Sequence, residues 1–376
     1  MTNQESKKIV PVYFENLDAL RFLAALSVFI FHFFRDINGF YPNLAANKIF
    51  EVVLVFTNKG SLGVNFFFVL SGFLITYLIL QEKQLTKHFS LWKFLVRRTL
   101  RIWPLYFIVV AMGFVIFPLV LKNFHTTHNP ILYLFFLANF DEIYNTASDA
   151  YNFLTAPWSV AVEEQFYLIW SLMLFPLLKL KKFKLEYLIL ILYVFSFVFS
   201  WLNRENHVII YYHTFSVCQD ILTGAFFGLS LFKGRKWIQK IISLKTYQLL
   251  LIYLVGFTIC ILKSKIFAGD LIVLERLVIS LFFAFIIIEQ SQSKQSIYKI
   301  GKLKFLTFLG KISYGFYMYH LIVLFFVSNY LNHFGWIGWR PILLYFLIAL
   351  PLTVLISVLS YYSVEKPLLK LKPKSN

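Results

Sequence analysis

Arg21 and His32 lie eleven residues apart in the stretch LDALRFLAALSVFIFHFFRD, residues 17–36. The stretch is otherwise mostly apolar and has the roughly 20 residues needed to cross a bilayer's hydrocarbon core. On a helix, eleven residues make three turns plus about 20°, so the guanidinium and the imidazole project from nearly one face, about 16 Å apart along the axis. Asp18 precedes Arg21 by three residues, the spacing of a helical ion pair. Ionisable groups at membrane depth are expensive and mark pathways or sites. Alone, each has an ordinary explanation: an arginine that snorkels from a helix end, a histidine satisfied in a bundle core. Their shared face makes them a candidate site, with a guanidinium to grip an anion and an imidazole to move a proton.

Two further groups extend each half. Arg98 and Arg101, in RRTLRIWPLYF, are three apart and share a helix face, and Pro104 interrupts the regular helix bonding close behind. With Arg21 they make a phosphate-binding cluster, because guanidinium groups hold phosphate oxygens bidentately. An ordinary basic flank of a membrane helix is the plainer explanation for Arg97, Arg98 and Arg101. His32 is near the other end of its run, and PWSVAVEEQFYLIW places Glu163 and Glu164 five or six residues in from that same side. An imidazole with a carboxylate partner suits general-base work on a hydroxyl. Adjacent residues point about 100° apart on a helix, so one of the two glutamates is expected to face the site. Ser71, before Gly72, suits close helix packing, and His320 among tyrosines suits a satisfied bundle histidine. Asp220 and the Glu275–Arg276 pair are further charges within spans, and Glu365 at the end of the last run reads as structural. No GxSxG, HExxH, Walker or GxGxxG motif is present, and no His or Cys cluster has metal-ligand spacing.

The elements that must position these groups are membrane helices. The 376 residues are 59% hydrophobic and only 14% charged, against about a quarter charged in soluble domains, and the mean hydropathy is +0.70. Apolar runs fall near 17–36, 62–81, 101–121, 158–178, 185–202, 209–232, 247–262, 271–290, 306–330 and 342–362. A shorter run at 130–140 reads as a half-helix or interfacial segment. The fold class expected is an all-α polytopic bundle of about ten transmembrane helices plus this half-helix. With the N-terminus inside and strict alternation, 26 of the 36 Lys and Arg fall in inner segments and 8 in outer ones. The positive-inside rule then places both termini in the cytoplasm of a multi-pass cell-membrane protein. The net charge of +18 is spread over these loops, which argues against nucleic acid as partner. The expected layout is a cytoplasmic tail at 1–16, a membrane domain at 17–365 and a basic cytoplasmic tail at 366–376. The first run is expected to be an uncleaved anchor. Cys218 and Cys260 both lie in apolar runs and offer no disulfide framework. The outer loop 122–157 is long enough to shape the mouth of a site.

Taken in order, LDALRFLAALSVFIFHFF, FFFVLSGFLITYLIL, RRTLRIWPLYF, PWSVAVEEQFYLIW, SYGFYMYHLIV and VEKPLL resemble successive signatures of the membrane acyltransferase-3 family, over residues 17–367. The resemblance implies an integral membrane enzyme that moves an acyl group, most often acetyl, from cytoplasmic acyl-CoA to a hydroxyl of a surface polysaccharide or glycoconjugate. Acyl-CoA would be a donor substrate, with no bound cofactor or metal. The resemblance implies that Arg21 and His32 match the family's paired Arg and His, with His32 catalytic, and that Arg98 and Arg101 match its donor-associated R-x-x-R element. Ser71, Glu163, Glu164 and His320 match further motif positions, and Tyr106 and Trp158 lie within the matching segments. Some relatives carry a fused extracellular hydrolase-like domain, so a relayed transfer by this chain would need a separate extracytoplasmic partner. On physical grounds alone, a transporter or flippase of a lipid-linked or anionic glycan, or a scaffold for a membrane complex, stays open beside the enzyme.

Overall fold

Each apolar run must satisfy its own backbone in lipid, and helices do so internally. The computed structural model describes residues 14–40, 48–122, 124, 126–145, 152–180, 184–332 and 339–373, and among them the chain forms helices and no strand. The principal helices are α1 (Glu15–Phe40), α2 (Lys48–Thr57), α3 (Leu62–Thr86), α4 (Leu91–Ala111), α5 (Pro157–Leu177), α6 (Leu185–Leu202), α7 (Thr214–Phe232), α8 (Thr246–Ile266), α9 (Ile272–Gln292), α10 (Lys304–Lys311), α11 (Ser313–Asn332) and α12 (Trp339–Ser360). Among the described residues, nine stretches are long and apolar enough to span a membrane, and α10 with α11 makes a tenth, bent by 72°. The protein is a multi-pass membrane helix bundle. The run at 130–140, expected as a half-helix or interfacial segment, forms two short helices, Pro130–Leu134 and Ala138–Tyr144, neither long enough to span.

Two departures from the apolar runs shape the interior. α4 starts ten residues before its run, at Leu91, where the Ser90 hydroxyl accepts from the Lys93 amide as an N-cap. Arg97, Arg98 and Arg101 therefore sit on α4 itself and line a cavity, not a loop flank. The ninth run breaks at Ile312, and the bend sets Ser313 and Tyr314 along a cavity.

α3 and α7 form the centre. The most apolar window of the α7 span is 72% buried, against 17% for α8 at the periphery. Their axes approach at two glycines: a β-carbon at Gly72 would lie 1.8 Å from the Ile221 carbonyl oxygen, and one at Gly224 would lie 1.9 Å from that of Val69. Small residues allow this approach, and in lipid such packing replaces the hydrophobic drive. Gly72→Val must push the two central helices apart, so we expect a loss of about 3 kcal/mol or more. A lowered melting temperature of the detergent-solubilised protein is the readout, and an unchanged one would contradict the close crossing.

Candidate active site

Phe14 and Lys372 line one cavity of about 440 Å³, so the two ends of the described chain meet at one face of the bundle. This face is strongly basic. Arg21, Arg97, Arg98, Arg101, Lys311 and Lys372 line the cavity, against Asp18, Glu82 and Glu365. Arg21 pairs with Asp18, the i,i+3 pair the spacing predicts, and Arg97 pairs with Glu82. Arg98 and Arg101 hold no carboxylate in an ion pair among the described residues. The Arg98 guanidinium instead lies 5.5 Å from the ring centroids of both Phe94 and Tyr167, within reach of their π faces. Burial, and then the crowding of Arg101, Arg98 and Arg97, pushes the Lys372 ammonium down to about 7. An anion seated among these groups relieves that crowding and favours the charged lysine. The expected basic tail thus contributes a wall of the site.

The cavity narrows inward. A second space of about 100 Å³ shares Arg21, Leu74, Arg98, Arg101 and Tyr314 with the first and continues to Ser159 and Tyr317. Glu163 stands in this neck. Its Oε1 accepts from the Ser71 hydroxyl at 2.8 Å, and the Tyr167 hydroxyl lies 3.1 Å from its Oε2 and 2.9 Å from Ser71 Oγ. Glu164 points to the side, where its Oε2 accepts from Trp103 Nε1 at 2.8 Å. The expected pairing of His32 with a glutamate is therefore corrected: both glutamates are committed elsewhere, and Glu163 lies at the depth of the arginines. The cause is the turn Asn152–Thr155, which does not end at the surface. Phe153, Leu154, Ala156 and Trp158 are all buried, so α5 begins inside the bundle and its second turn lies deeper than counting from a membrane edge suggests. Ser71 is corrected too. Gly72 provides the close packing, and the serine hydroxyl serves Glu163.

At the end of the neck, Ser159 Oγ and the Tyr317 hydroxyl are 2.7 Å apart. One turn along α11 from Tyr317 stands His320, with its ring centroid 5.5 Å from that of Tyr317. His320 Nε2 lies 3.0 Å from Nδ1 of His32. His32 Nδ1 is also 3.1 Å from the Val28 carbonyl, and His320 Nδ1 bonds the Tyr317 carbonyl. His320 is thus the partner of His32, not a histidine satisfied apart from it. The arrangement is a basic mouth that continues into a narrow neck, and the neck ends at Tyr317, one helical turn from the His32–His320 pair.

The model of the acyltransferase domain matches residues 14–362. The chain belongs to the acyltransferase-3 family. The chain is 29% identical over 379 residues to a protein of Staphylococcus aureus strain COL whose name assigns it as an O-acetyltransferase by inference, covering 95% of this chain and 58% of that one. It is 28% identical over 388 residues to O-acetyltransferase OatA of Staphylococcus aureus strain NCTC 8325 / PS 47, covering 97% of this chain and 58% of OatA. The chain spans just over half the length of these curated relatives. No solved structure matches it.

Two residues from the matching segments, Tyr106 and Trp158, line neither the mouth nor the neck. Tyr106 is fully buried, donates to the Tyr133 carbonyl at 2.9 Å and stacks on Phe136, so it fastens the short helix Pro130–Leu134. Trp158 packs against Tyr211 and Tyr212 at 5.3 and 4.9 Å between centroids, at the buried start of α5. Sequence reasoning missed Tyr167 and Tyr317. Tyr167 follows Glu163 by four residues, the spacing of a same-face pair, so its signal was present. Tyr317 precedes His320 by three residues, a same-face spacing as well, so a local signal was present there too.

Proposed function

We propose that this acyltransferase moves an acetyl group from acyl-CoA to a hydroxyl of a surface glycan or lipid-linked glycan, with the basic face toward the cytoplasm. The observation that carries this reading is the continuity of an arginine-lined mouth with a neck that ends one helical turn from the His32–His320 pair. CoA phosphates fit the mouth, where Arg98 and Arg101 hold no ion pair among the described residues and Arg21, Lys311 and Lys372 flank them. The flexible pantetheine arm follows the neck, and displacing the Tyr317–Ser159 hydrogen bond admits the thioester toward His32. His32 takes the proton of the acceptor hydroxyl as its oxygen attacks the thioester carbonyl. The carbon–sulfur bond breaks, the sulfur takes the proton back from the imidazolium, and the products are an O-acyl ester and free CoA. Glu163, held by Ser71 beside Arg98, keeps the neck polar and the arginines in place. The full activity on a glycan includes whatever further extracytoplasmic partner the acceptor requires.

The test is turnover of acetyl-CoA labelled in the acetyl group by the purified protein in nanodiscs. The expected result is CoA release coupled to label on an added glycan extract. Arg98→Ala should weaken acetyl-CoA binding by about 10–100-fold, the loss of one charge-assisted contact of about 1.5–3 kcal/mol. Folded protein that neither binds nor turns over acetyl-CoA, yet moves a lipid-linked glycan across the vesicle, would replace this reading with a transporter.

A further inference from the structure

We propose that His320 is a positioning residue for His32: it accepts the Nδ1 proton of His32 and so presents the Nε2 lone pair of His32 to the acceptor hydroxyl. This inference rests on the reading of His32 as general base. A neutral imidazole has two tautomers, and only one places a basic nitrogen where a given hydroxyl can use it.

The backbone settles which tautomers are present. A carbonyl oxygen only accepts, so the bond from His320 Nδ1 to the Tyr317 carbonyl puts the His320 proton on Nδ1 and leaves Nε2 as an acceptor. His320 Nε2 lies 3.0 Å from His32 Nδ1, which must then be the donor. The Val28 carbonyl, 3.1 Å from the same nitrogen, demands a proton there as well. Two independent acceptors therefore agree, and the bare nitrogen of His32 is Nε2.

The same geometry serves the charged state. When Nε2 takes the acceptor's proton, the imidazolium keeps its two acceptors at Nδ1, one from its own helix and one from α11. This is the role of the aspartate in a Ser–His–Asp triad, performed by a neutral group. A neutral acceptor suits the setting, because a further carboxylate at this depth would add a buried charge. His320 is itself 1% exposed, so its ring has no competing water-filled alternative. Because α11 carries both Tyr317 at the end of the neck and His320, the residue that meets the donor arm and the residue that orients the base share one helix turn.

The test compares His320→Leu with His320→Gln in nanodiscs, and reads histidine tautomers by ¹⁵N NMR, with the His32 signals assigned by their loss in His32→Gln. The wild-type protein should carry the His32 proton on Nδ1, whether or not a suitable acceptor is present. His320→Leu should lower kcat by about 100-fold while leaving the KM for acetyl-CoA near its wild-type value. His320→Gln places an amide oxygen near the lost acceptor and should restore most of the rate. A His32 proton on Nε2, a wild-type kcat in His320→Leu, or equal losses in the Leu and Gln variants would each overturn the proposal. The last two would mean that Val28 alone suffices or that His320 is only packing. The expected tautomers in a protein with no acyl-CoA turnover would support the positioning role and overturn the general-base reading instead.

Discussion

Replacing His32 by alanine is expected to lower kcat for acyl transfer by about 10²–10⁴-fold, the usual contribution of a positioned general base, with acetyl-CoA affinity nearly unchanged. The separation follows from position. His32 stands about 16 Å along α1 from Arg21, beyond the neck and off the walls of the basic mouth. The variant should fold, because it removes a neutral pair member and leaves His320 bonded to the Tyr317 carbonyl. One unsatisfied neutral acceptor costs about 1–3 kcal/mol. Equilibrium binding of acetyl-CoA and steady-state turnover, measured on the same preparation, separate the two effects. Loss of affinity in step with kcat would move His32 into the donor site, and retention of kcat would move the base to another group. Arg98→Ala is the mirror image, with affinity lost first, so the two variants together divide the cavity into a binding half and a reacting half.

What could be read from the sequence is what one helix decides by itself. Arg21 and His32 share a face, Asp18 pairs with Arg21, and Arg98 and Arg101 line one cleft because eleven, three and three residues fix angles on a single helix. The apolar runs follow from hydropathy in the same way. Depth between helices was not legible. Counting inward from a presumed membrane edge put Glu163 beside His32, and the buried turn Asn152–Thr155 moved it to the arginines. Pairing across the chain was not legible either. His32 and His320 are 288 residues apart, and each alone has a bland explanation. Lys372 reads as one of several tail lysines, and only the packing of the chain's end beside α4 makes it part of the cleft. Charges within spans were visible one at a time as anomalies, but not as partners of one another.

Asp220 and Arg276 are the sharpest case, and the second large effect is expected there. Arg276→Ala should destabilise the protein by about 3–5 kcal/mol, because it leaves a carboxylate buried without its cation. Asp220 on α7 is fully buried, its Oδ2 accepting from Arg276 on α9 at 2.6 Å and from Asn65 on α3 at 2.9 Å. The same guanidinium donates to the carbonyls of Ile210 and Tyr211 at 2.9 Å each, so it also closes the end of the short helix His207–Tyr212. Tyr211 and Tyr212 pack on Trp158, the first turn of the helix that carries Glu163. Losing Arg276 should therefore loosen the neck as well as the centre. The pair itself need not be a source of stability, since taking two charges out of water offsets most of their attraction. The double variant Asp220→Asn with Arg276→Met removes both charges and keeps the volume, so it should melt well above Arg276→Ala alone. Melting temperatures of the wild type, Asp220→Asn, Arg276→Met and the double variant form a complete cycle. If the double variant were as unstable as the sum of the two singles, the residues would act independently and the buried pair would not be the link between α7 and α9.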